Sequence, residues 1–159
     1  MPTLRPLTDA EYAAWMQEAV PAYARDKVAS GAWAEGEALE NAQREFEALL
    51  PGGKSTPDHH LFAVLAPDGT YVGVIWFAAQ ERAGGRMAYL YNIEIVGEHR
   101  RQGHAERALR ALEAEVGRLG LQGIALHVFG HNTGAQALYG KLGYVPTNIN
   151  MFKAVPAGA

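Results

Sequence analysis

Apolar side chains recur every three or four residues in four segments of the chain, a period typical of amphipathic α-helices. The first helix is predicted to begin at Thr8, because Glu11 three residues later completes a capping box. Pro21 is expected to kink or divide this helix. Pro51 and the two glycines after it are expected to end the second helix. The predicted helices lie within residues 8–23, 36–50, 105–120 and 133–143.

A period of two, which is typical of strands, begins at His60. Two strands are predicted on either side of Asp68-Gly69, a pair that suits a hairpin turn because it tolerates positive φ. Further strands are predicted at residues 3–7, 87–96 and 123–130, with one or two more within residues 144–155. The order β-α-α-β-β-β-α-β-α-β predicts an α/β fold, a mixed sheet with helices on both faces.

Composition narrows the class of protein further. With 159 residues, 48% of them hydrophobic, the chain can bury one core, so a single domain over residues 1–159 is expected. A net charge of −3 argues against a nucleic-acid surface and favours a small partner. No segment has the length of a membrane helix, and the N-terminus lacks the apolar core of a signal peptide. The absence of cysteine fits a reducing compartment, so a soluble cytoplasmic protein is expected.

Two glycine-containing segments are candidates for binding phosphate. "PGGKST" at residues 51–56 resembles the end of a P-loop, but Ala48 stands where that motif requires a glycine. A P-loop also needs a strand before it and a helix after it, whereas the predicted order here is the reverse. This segment is therefore interpreted as a solvated loop.

"RRQGHA" at residues 100–105 has the required context, because a strand precedes it and a helix follows it. The first amides of a helix have no intrahelical partner and lie at the positive end of its dipole, so they bind anions. Gly103 and Ala105 keep side-chain bulk small there, while Arg100 and Arg101 add positive charge. Basic turns before helices are common, so this pattern alone leaves an ordinary turn as the alternative.

The segment "RRQGHAERALRALE" resembles the signature turn and helix of the GCN5-related N-acetyltransferase (GNAT) superfamily, in which Arg100, Gly103 and Ala105 fill the motif positions. The preceding "YLYNIEIV" is similar to the family's central strand. The later "LHVFGHNTGAQALYGKLGYV" is similar to its second cofactor segment. The match is close over residues 87–145. The first two helices match the family only in their type of secondary structure. It implies a GNAT-like fold with a mostly antiparallel central sheet.

The resemblance implies that the domain binds acetyl-CoA as a cosubstrate. In the family the amides of residues 101–105 hold the pyrophosphate, and the central strand carries a bulge and separates from its neighbour to admit the pantetheine arm. Free amides near Ile95 and Val96 would then bind that arm. The cofactor-binding residues implied here are Ile95, Val96, Arg101, Gln102, Gly103, His104, Ala105, Asn132, Ala135 and Tyr139.

The chemistry implied by the resemblance needs a group that takes a proton from the amine. Regular alternation along the central strand would place two sets of side chains on opposite faces: Leu90, Asn92, Glu94 and Val96 on one, and Tyr89, Tyr91, Ile93 and Ile95 on the other. A carboxylate inside such an apolar strand is expected to have a raised pKa, which suits a general base. Glu94 is therefore the candidate base, and a structural glutamate bonded to a neighbouring Tyr or Arg is the alternative.

Other roles follow from the same resemblance. Tyr139 occupies the position of the family's tyrosine that protonates the departing thiolate. Asn132 is expected to cap the last helix, to bind the pantetheine arm, or both. Trp33 and Glu35 lie where the family builds its acceptor pocket, and Asn92 would position water or substrate or serve only as a sheet residue.

The sequence as a whole predicts an N-acetyltransferase that acetylates a primary amine by direct attack in a ternary complex. The alternative is a non-catalytic domain that senses acetyl-CoA. A metal is not expected, because His127 and His131 lack the one-face spacing of helical ligands and His59-His60 gives no better pair. The expected partner is a small-molecule or peptide amine, with no nucleic acid and no membrane, and a homodimer is left open.

Overall fold

The computed structural model describes residues 2–82 and 84–158, and over these ranges it contains four α-helices, two short 3₁₀ helices and five strands. The helices are α1 (Asp9–Ala29), α2 (Glu35–Leu49), α3 (His104–Arg118) and α4 (Thr133–Lys141). The strands are β1 (Leu4–Pro6), β2 (His59–Leu65), β3 (Tyr71–Arg82), β4 (Gly85–Ile95) and β5 (Ile124–Leu126). Within the described ranges no helix has the length and apolar character needed to cross a membrane.

The strands form one mixed sheet in the order β1-β2-β3-β4-β5. The first four strands pair in antiparallel fashion, and β5 pairs parallel to β4. Helices α1 and α2 pack on one face around Trp15, Phe46 and Trp76, which we call the α1/α2 core. Helices α3 and α4 pack on the opposite face over Phe77 and Leu109, which we call the α3/α4 core. The predicted fold class, a mixed sheet with helices on both faces, is confirmed.

The start of α1 has the predicted capping box. Thr8 Oγ1 accepts the Glu11 N–H at 3.2 Å, and Glu11 Oε1 accepts the Thr8 N–H at 3.0 Å. Arg5 adds two hydrogen bonds to the same carboxylate, each 2.8 Å long, and lowers the pKa of Glu11 to about 2. The helix then runs without a break through Pro21, so the expectation that this proline divides it is wrong. A proline removes one N–H, and the burial of Trp15, Ala19, Val20 and Ala24 holds the two halves in one helix.

Both predicted turns between α2 and β3 are observed. The turn at Asp68-Gly69 joins β2 to β3, and Gly69 has a φ of 90° and donates its N–H to Ala66 at 2.8 Å. The glycine-rich segment at residues 51–56 lies between a helix and a strand, in the order that excludes a P-loop. There Thr56 Oγ1 accepts the Gly52 N–H and donates to the Gly53 carbonyl, so the hydroxyl stabilises its own loop.

A β-bulge interrupts the middle of β4. Trp76 of β3 pairs with Asn92 and the next residue, Phe77, pairs with Leu90, so Tyr91 is the extra residue. The bulge reverses the alternation. Four side chains face the α1/α2 core: Tyr89, Tyr91, Asn92 and Glu94. Leu90, Ile93 and Ile95 face the α3/α4 core. The regular alternation predicted along this strand is therefore wrong, because one inserted residue shifts the period.

Strands β4 and β5 separate beyond the bulge. Their pairing ends at Leu90 and Leu126, whereas β4 continues to Ile95 along β3. The edge of β4 that faces away from β3 therefore has no strand beside it over residues 91–95, within the described part of the sheet. This gap is the feature that the family resemblance implies.

The segment after α4 has no strand in the described structure. Residues 144–158 have no regular secondary structure, and most of their side chains are exposed. The prediction of one or two final strands within residues 144–155 is therefore not met in the single chain. The apolar and polar pattern that favoured a strand is present, but no neighbouring strand pairs with it.

Candidate functional site

The turn before α3 has a backbone suited to an anion. Arg101 has a φ of 64°, in the left-handed region that a residue with a side chain seldom adopts, and Gly103 has a φ of 80° at the N-cap of α3. No heavy atom beyond its chain neighbours lies within 4 Å of the point where a Cβ of Gly103 would sit, so the space in front of the helix is open. The first residues of α3, from His104 to Glu106, border this open space, and their amides have no intrahelical partner.

A cleft of about 450 Å³ lies between this turn, the end of β4 and the start of α4. Six residues that the sequence predicted to bind the cofactor line it: Ile95, Arg101, Gly103, His104, Ala105 and Ala135. They come from three elements that are distant in sequence. Their convergence on one cleft is what the resemblance led us to expect.

Five other residues line the same cleft: His99, Arg100, Glu106, Gly134 and Leu138. The sequence analysis did not assign cofactor contacts to them. Two of the five, Gly134 and Leu138, could have been found from the sequence. Leu138 lies three residues after the predicted Ala135 and four after Gly134, and residues at these spacings share a face of a helix.

Arg100 joins the turn to the end of β4. Its Nε donates a hydrogen bond of 2.9 Å to the carbonyl of Ile95, and a terminal guanidinium nitrogen lies 3.8 Å from Glu94 Oε1. The Arg100 side chain is thus turned back toward the strand. It brings its positive charge next to the candidate base.

Glu94 combines burial with mixed neighbouring charges. Its side chain is 29% exposed and faces α1, where Glu18 and Asp26 raise its pKa and Arg25 lowers it. Burial has the largest effect and the net result is a raised pKa, although Arg100 acts in the opposite direction. Both interpretations of Glu94 therefore have support. Its contact with Arg100 fits a structural glutamate, and its raised pKa fits a general base.

His104, the first residue of α3, is buried and held neutral. Its Nδ1 contacts the guanidinium of Arg107, which also donates to the carbonyl of Leu65. Arginine can only donate, so the His104 Nδ1 must accept and the proton lies on Nε2. Burial lowers the pKa of His104, and the charge of Arg107 lowers it further. The His104 backbone is therefore fixed at the mouth of the cleft.

The amides at the end of β4 differ from the expectation in one respect. The Val96 N–H donates to the Val72 carbonyl at 2.8 Å, so it is not free and its predicted role is wrong. Because bonding directions alternate along an antiparallel strand, the polar groups of Ile93 and Ile95 point toward the gap instead. Ile95 therefore remains a candidate for binding the pantetheine arm. Ile93 is a further candidate that the sequence did not indicate.

Gln102 and Asn132 lie at the margins of the cleft. Gln102 Nε2 turns back to the Glu98 carbonyl at 3.4 Å, so its side chain faces the turn. Asn132 caps α4, and its side-chain oxygen accepts the Ala135 N–H at 3.2 Å. The capping role of Asn132 is confirmed, while contacts of Gln102 and Asn132 with a cofactor stay predictions.

Tyr139 lies on α4 next to Leu138 of the cleft lining. It packs against the α3/α4 core, and its ring centroid lies 5.4 Å from that of Tyr144. Burial raises the pKa of Tyr139, so the phenol keeps its proton at neutral pH and has it available to donate. Its predicted role as an acid stays a prediction.

Asn92, the residue after the bulge, has a buried side-chain oxygen for which the described residues provide no hydrogen-bond partner. It pairs with Trp76 across the sheet and faces the same side as Glu94. A buried orphaned acceptor usually bonds to water or a ligand. This feature fits the predicted role of Asn92 in positioning water or substrate.

Trp33 lines a different cleft, and Glu35 lines neither of the two clefts described. Trp33 packs edge to face on Tyr23 with centroids 5.7 Å apart, and Lys27 Nζ lies 5.2 Å from the Trp33 ring centroid. Trp33 lines an open cleft of about 450 Å³ on α2, while Glu35 is the first residue of that helix. The structure therefore does not bring these two residues to the cleft at Gly103.

Two of the histidines contact side chains of other elements. His59 Nδ1 accepts the Trp76 indole N–H at 2.9 Å, and His131 Nε2 lies 3.1 Å from Asp26 Oδ1. Over residues 2–82 and 84–158, no three acidic or histidine side chains form a group that could hold a metal.

Comparison with known proteins decides the family. The model of the Acetyltransferase (GNAT) family matches residues 12–144. The chain belongs to the GNAT family. This GNAT chain is 33% identical over 151 residues to the uncharacterized N-acetyltransferase YdgE of Bacillus subtilis (strain 168), a match covering 95% of the chain and 96% of its relative. It is 31% identical over 150 residues to the uncharacterized N-acetyltransferase YycN of the same strain, covering 94% of the chain and 96% of YycN.

Solved structures agree with this assignment. The crystal structure of Bacillus subtilis YycN superposes with a TM-score of 0.91, covering 96% of this GNAT chain and 98% of YycN. A GCN5-related N-acetyltransferase from Ralstonia eutropha JMP134 has a TM-score of 0.67 at 19% identity, with 96% and 97% of the two chains covered. At that identity the likeness shows the fold alone.

Members of the GNAT family generally use acetyl-CoA. The structure provides a direct test of whether these residues fit that molecule. The open space at Gly103 and the first residues of α3 belong to one cleft that reaches Ile95, and the gap between β4 and β5 runs along residues 91–95 of the same strand. The residues present therefore fit a pyrophosphate at one end and an extended arm at the other.

Proposed function

We propose that this protein is an acetyl-CoA-dependent N-acetyltransferase that acetylates a primary amine by direct attack in a ternary complex. The observation that carries the proposal is the cleft at Gly103, which leads to the end of the strand that holds Glu94. Family membership supports the acyl transfer, and this geometry supports the choice of residues. The chain has no cysteine, which suits the reducing cytoplasm where we place it.

The turn and α3 would hold the pyrophosphate. The amides of residues 101–105 lie at the positive end of the helix dipole, and Gly103 leaves room for phosphate oxygens to approach. The polar groups of Ile93 and the N–H of Ile95 would bond the pantetheine arm in the gap beside β4, while the Ile95 carbonyl accepts Arg100 Nε. Acetyl-CoA supplies an activated acetyl group on a thioester.

Glu94 would act as the general base. A carboxylate with a raised pKa accepts a proton from the acceptor ammonium more readily near neutral pH than an ordinary glutamate does. The orphaned oxygen of Asn92 on the same face would hold the amine or a relaying water. Tyr139 would donate its proton to the departing thiolate, because burial keeps the phenol protonated.

The acceptor is proposed only as a small-molecule or peptide amine. The face that carries Glu94 also carries Tyr89 and Tyr91. The carboxylates of Glu18 and Asp26 lie near it with the guanidinium groups of Arg25 and Arg100, so with Glu94 itself three carboxylates face two positive charges. Carboxylates and aromatic rings on one face favour a cation over an anion. This arrangement supports an amine rather than a nucleic acid as the partner.

Titration calorimetry followed by a turnover assay tests the proposal. We expect acetyl-CoA and CoA to bind and ATP not to bind. ATP binding without CoA binding would refute the acetyltransferase. Thiol release can then be followed colorimetrically over a panel of amines, without background from the protein because it has no cysteine. Binding of acetyl-CoA with no turnover on any amine would favour the alternative, a non-catalytic acetyl-CoA sensor.

A further inference from the structure

Four aromatic rings form a row on the side of the sheet that faces the α1/α2 core. Tyr89 packs on Tyr91 of β4 with ring centroids 4.7 Å apart, and Tyr23 of α1 packs on Trp33 at 5.7 Å. Burial raises the pKa of Tyr23, and the nearby Glu45 and Tyr89 raise it further, so the two pairs of rings are neighbours. These four rings, which we call the aromatic row, extend from the bulge toward the start of β4.

Two positively charged side chains lie over this row. Lys27 Nζ lies 5.6 Å from the ring centroid of Tyr23 and 5.2 Å from that of Trp33. Arg82 Cζ lies 4.9 Å from the ring centroid of Tyr89. The face of an aromatic ring carries partial negative charge and attracts a cation. The rings thus bring two like charges, one from α1 and one from β3, to the same surface.

Both charges are available to a ligand. Arg82 donates to Gln80 Oε1 at 3.3 Å, and Gln80 Nε2 donates to the Tyr91 hydroxyl at 2.8 Å, so hydrogen bonds orient the guanidinium. Among the residues that the structure describes, no carboxylate forms an ion pair with either cation, Glu45 included. Arg86 on the neighbouring strand, by contrast, pairs with two carboxylates. Two unpaired positive charges on one surface attract an anion.

The position of these cations along β4 sets the size of a ligand that reaches both them and Glu94. Tyr89, which lies under Arg82, precedes Glu94 by five residues, and this separation corresponds to about 15 Å of strand. An extended peptide covers that distance in about four residues. The N-terminal amine of a peptide has a pKa of about 8, well below about 10.4 for lysine, so it gives up its proton to a carboxylate more readily.

We propose that the acceptor is a peptide of about four residues, acetylated at its N-terminal amine beside Glu94 and held at its C-terminal carboxylate by Lys27 and Arg82. This inference rests on the proposed function and names its substrate class. The peptide nitrogen forms a C–N bond to the acetyl carbon as the thioester C–S bond breaks. The amine proton passes to Glu94, and CoA leaves as the thiol with the proton of Tyr139. The aromatic row would pack against apolar side chains in the middle of the peptide.

Two apolar tetrapeptides that differ only at the C-terminus test the carboxylate site. One ends in a free carboxylate and the other in a carboxamide, and the N-terminus is the only amine in each. We expect kcat/KM to be about tenfold higher or more for the free carboxylate, chiefly through a lower KM, because hydrogen bonds between charged groups are strong. A matched pair of dipeptides should show no such preference, because a dipeptide is too short to reach both ends of the site.

The outcomes separate this inference from the proposed function. Equal kcat/KM for the two tetrapeptides would overturn the carboxylate site, and so would an equally large preference in the dipeptides. Turnover of other amines with none on the tetrapeptides would also overturn it, while the N-acetyltransferase activity would stand. Absence of turnover on every amine would instead refute the proposed function.

Substitution of the two cations connects the preference to this surface. Lys27→Gln and Arg82→Gln should each lower the ratio of kcat/KM for the free carboxylate to that for the carboxamide, and the double variant should bring the ratio near one. Arg82→Lys keeps the charge without the planar guanidinium and should retain part of the preference. Arg86→Gln is the matched control, because it removes a charge that is already paired, and it should keep the wild-type ratio. A double variant with the wild-type ratio would overturn the assignment.

Discussion

Glu94 lies where two parts of the candidate mechanism meet. Its carboxylate faces α1 on one side and Arg100 of the phosphate-binding turn on the other. Burial raises its pKa, while Arg100 limits that increase. The residue therefore connects the cofactor turn to the face where an amine would be bound.

The substitution Glu94→Gln removes the proposed base and keeps the shape of the side chain. We expect turnover to fall by about 10²-fold or more, because general bases typically contribute that much. In the wild type, kcat/KM should rise with pH as Glu94 loses its proton and should level off above its raised pKa. The variant should lack that step and retain CoA affinity. A variant with the wild-type pH profile would remove Glu94 as the base.

The same substitution should stabilise the fold at neutral pH. A carboxyl whose pKa is raised in the folded state favours folding below its unfolded pKa, and this advantage is lost as the pH rises through the folded pKa. Glu94→Gln should therefore raise Tm at pH 7 and raise it less at pH 4. Equal changes in Tm at the two pH values would argue against a raised pKa.

Gly103 permits a residue-level test of the phosphate site. Gly103→Glu should abolish CoA binding by calorimetry, because it adds bulk and negative charge where phosphates would lie. Gly103→Ala also places a residue with a Cβ at a φ of 80°, but it adds no charge. It should therefore bind CoA, although more weakly than the wild type. Gly117→Glu places the same charge at the exposed end of α3 and should bind normally. Normal binding by Gly103→Glu would exclude the turn as the phosphate site.

The sequence predicted the local part of the site better than the tertiary part. Gly103 and Ala105 were found because a turn before a helix has a local signature. His99, Glu106 and Leu138 were missed because their approach to the cleft depends on how α3 and α4 pack. The Val96 amide was assigned wrongly, since the partner of an N–H follows from strand register rather than from residue type.

At the level of elements, the close approach of β3 and β4 determines where Glu94 lies. Gly73 faces Ile95 across the pair, and a Cβ there would overlap the carbonyl oxygen of Glu94 and lie 3.0 Å from Ile95 Cδ1. A glycine at this point lets the two strands meet where β4 enters the gap. The end of β4 thus has β3 as its strand partner on one side, and on the other side the Arg100 Nε hydrogen bond to the Ile95 carbonyl.

We expect Gly73→Ala to destabilise the protein by about 1–3 kcal/mol, because β4 must shift to avoid the added methyl group. The shift displaces Glu94, so turnover should fall as well. Gly117→Ala in α3 is the control, since no atom lies near its Cβ position, and it should stabilise by about 0.5–1 kcal/mol. Urea unfolding measures both. An unchanged midpoint for Gly73→Ala would contradict the close contact.

The helices and the hairpin were predictable because their patterns are local, whereas the bulge in β4 was not. Counting alternate residues assumes an uninterrupted strand, and an inserted residue at Tyr91 reverses every side chain after it. The strand pattern in residues 144–155 was present in the sequence, but a strand needs a partner. In the single chain that partner is missing from the described residues.

At the scale of the whole molecule, the sheet separates two bodies of packing, and the gap between β4 and β5 lies within it. On one side lie α1 and α2, and on the other α3 and α4, each with its own core. The contact of His131 with Asp26 joins the loop before α4 to α1 across this division. A ligand in the gap would add contacts to β4, α3 and α4 at once.

Acetyl-CoA should therefore stabilise the folded protein globally. At a concentration 100 times its Kd a ligand adds about 2.7 kcal/mol, which corresponds to a rise in Tm of roughly 5–10 °C for a chain of this size. Differential scanning fluorimetry measures the shift. Gly103→Glu should show none, and ATP should give none with the wild type. A shift with ATP equal to that with acetyl-CoA would indicate general anion binding instead.

The bulge in β4 increases the number of side chains that one strand presents to one face of the sheet. Residues 89–94 are six consecutive positions, of which a regular strand would offer three to the α1/α2 face, whereas here Tyr89, Tyr91, Asn92 and Glu94 all face it. The extra position puts a ring, an amide and a carboxylate within one short stretch of rigid backbone. A single insertion therefore lets the sheet itself carry a group of polar side chains that a mobile loop would hold less firmly.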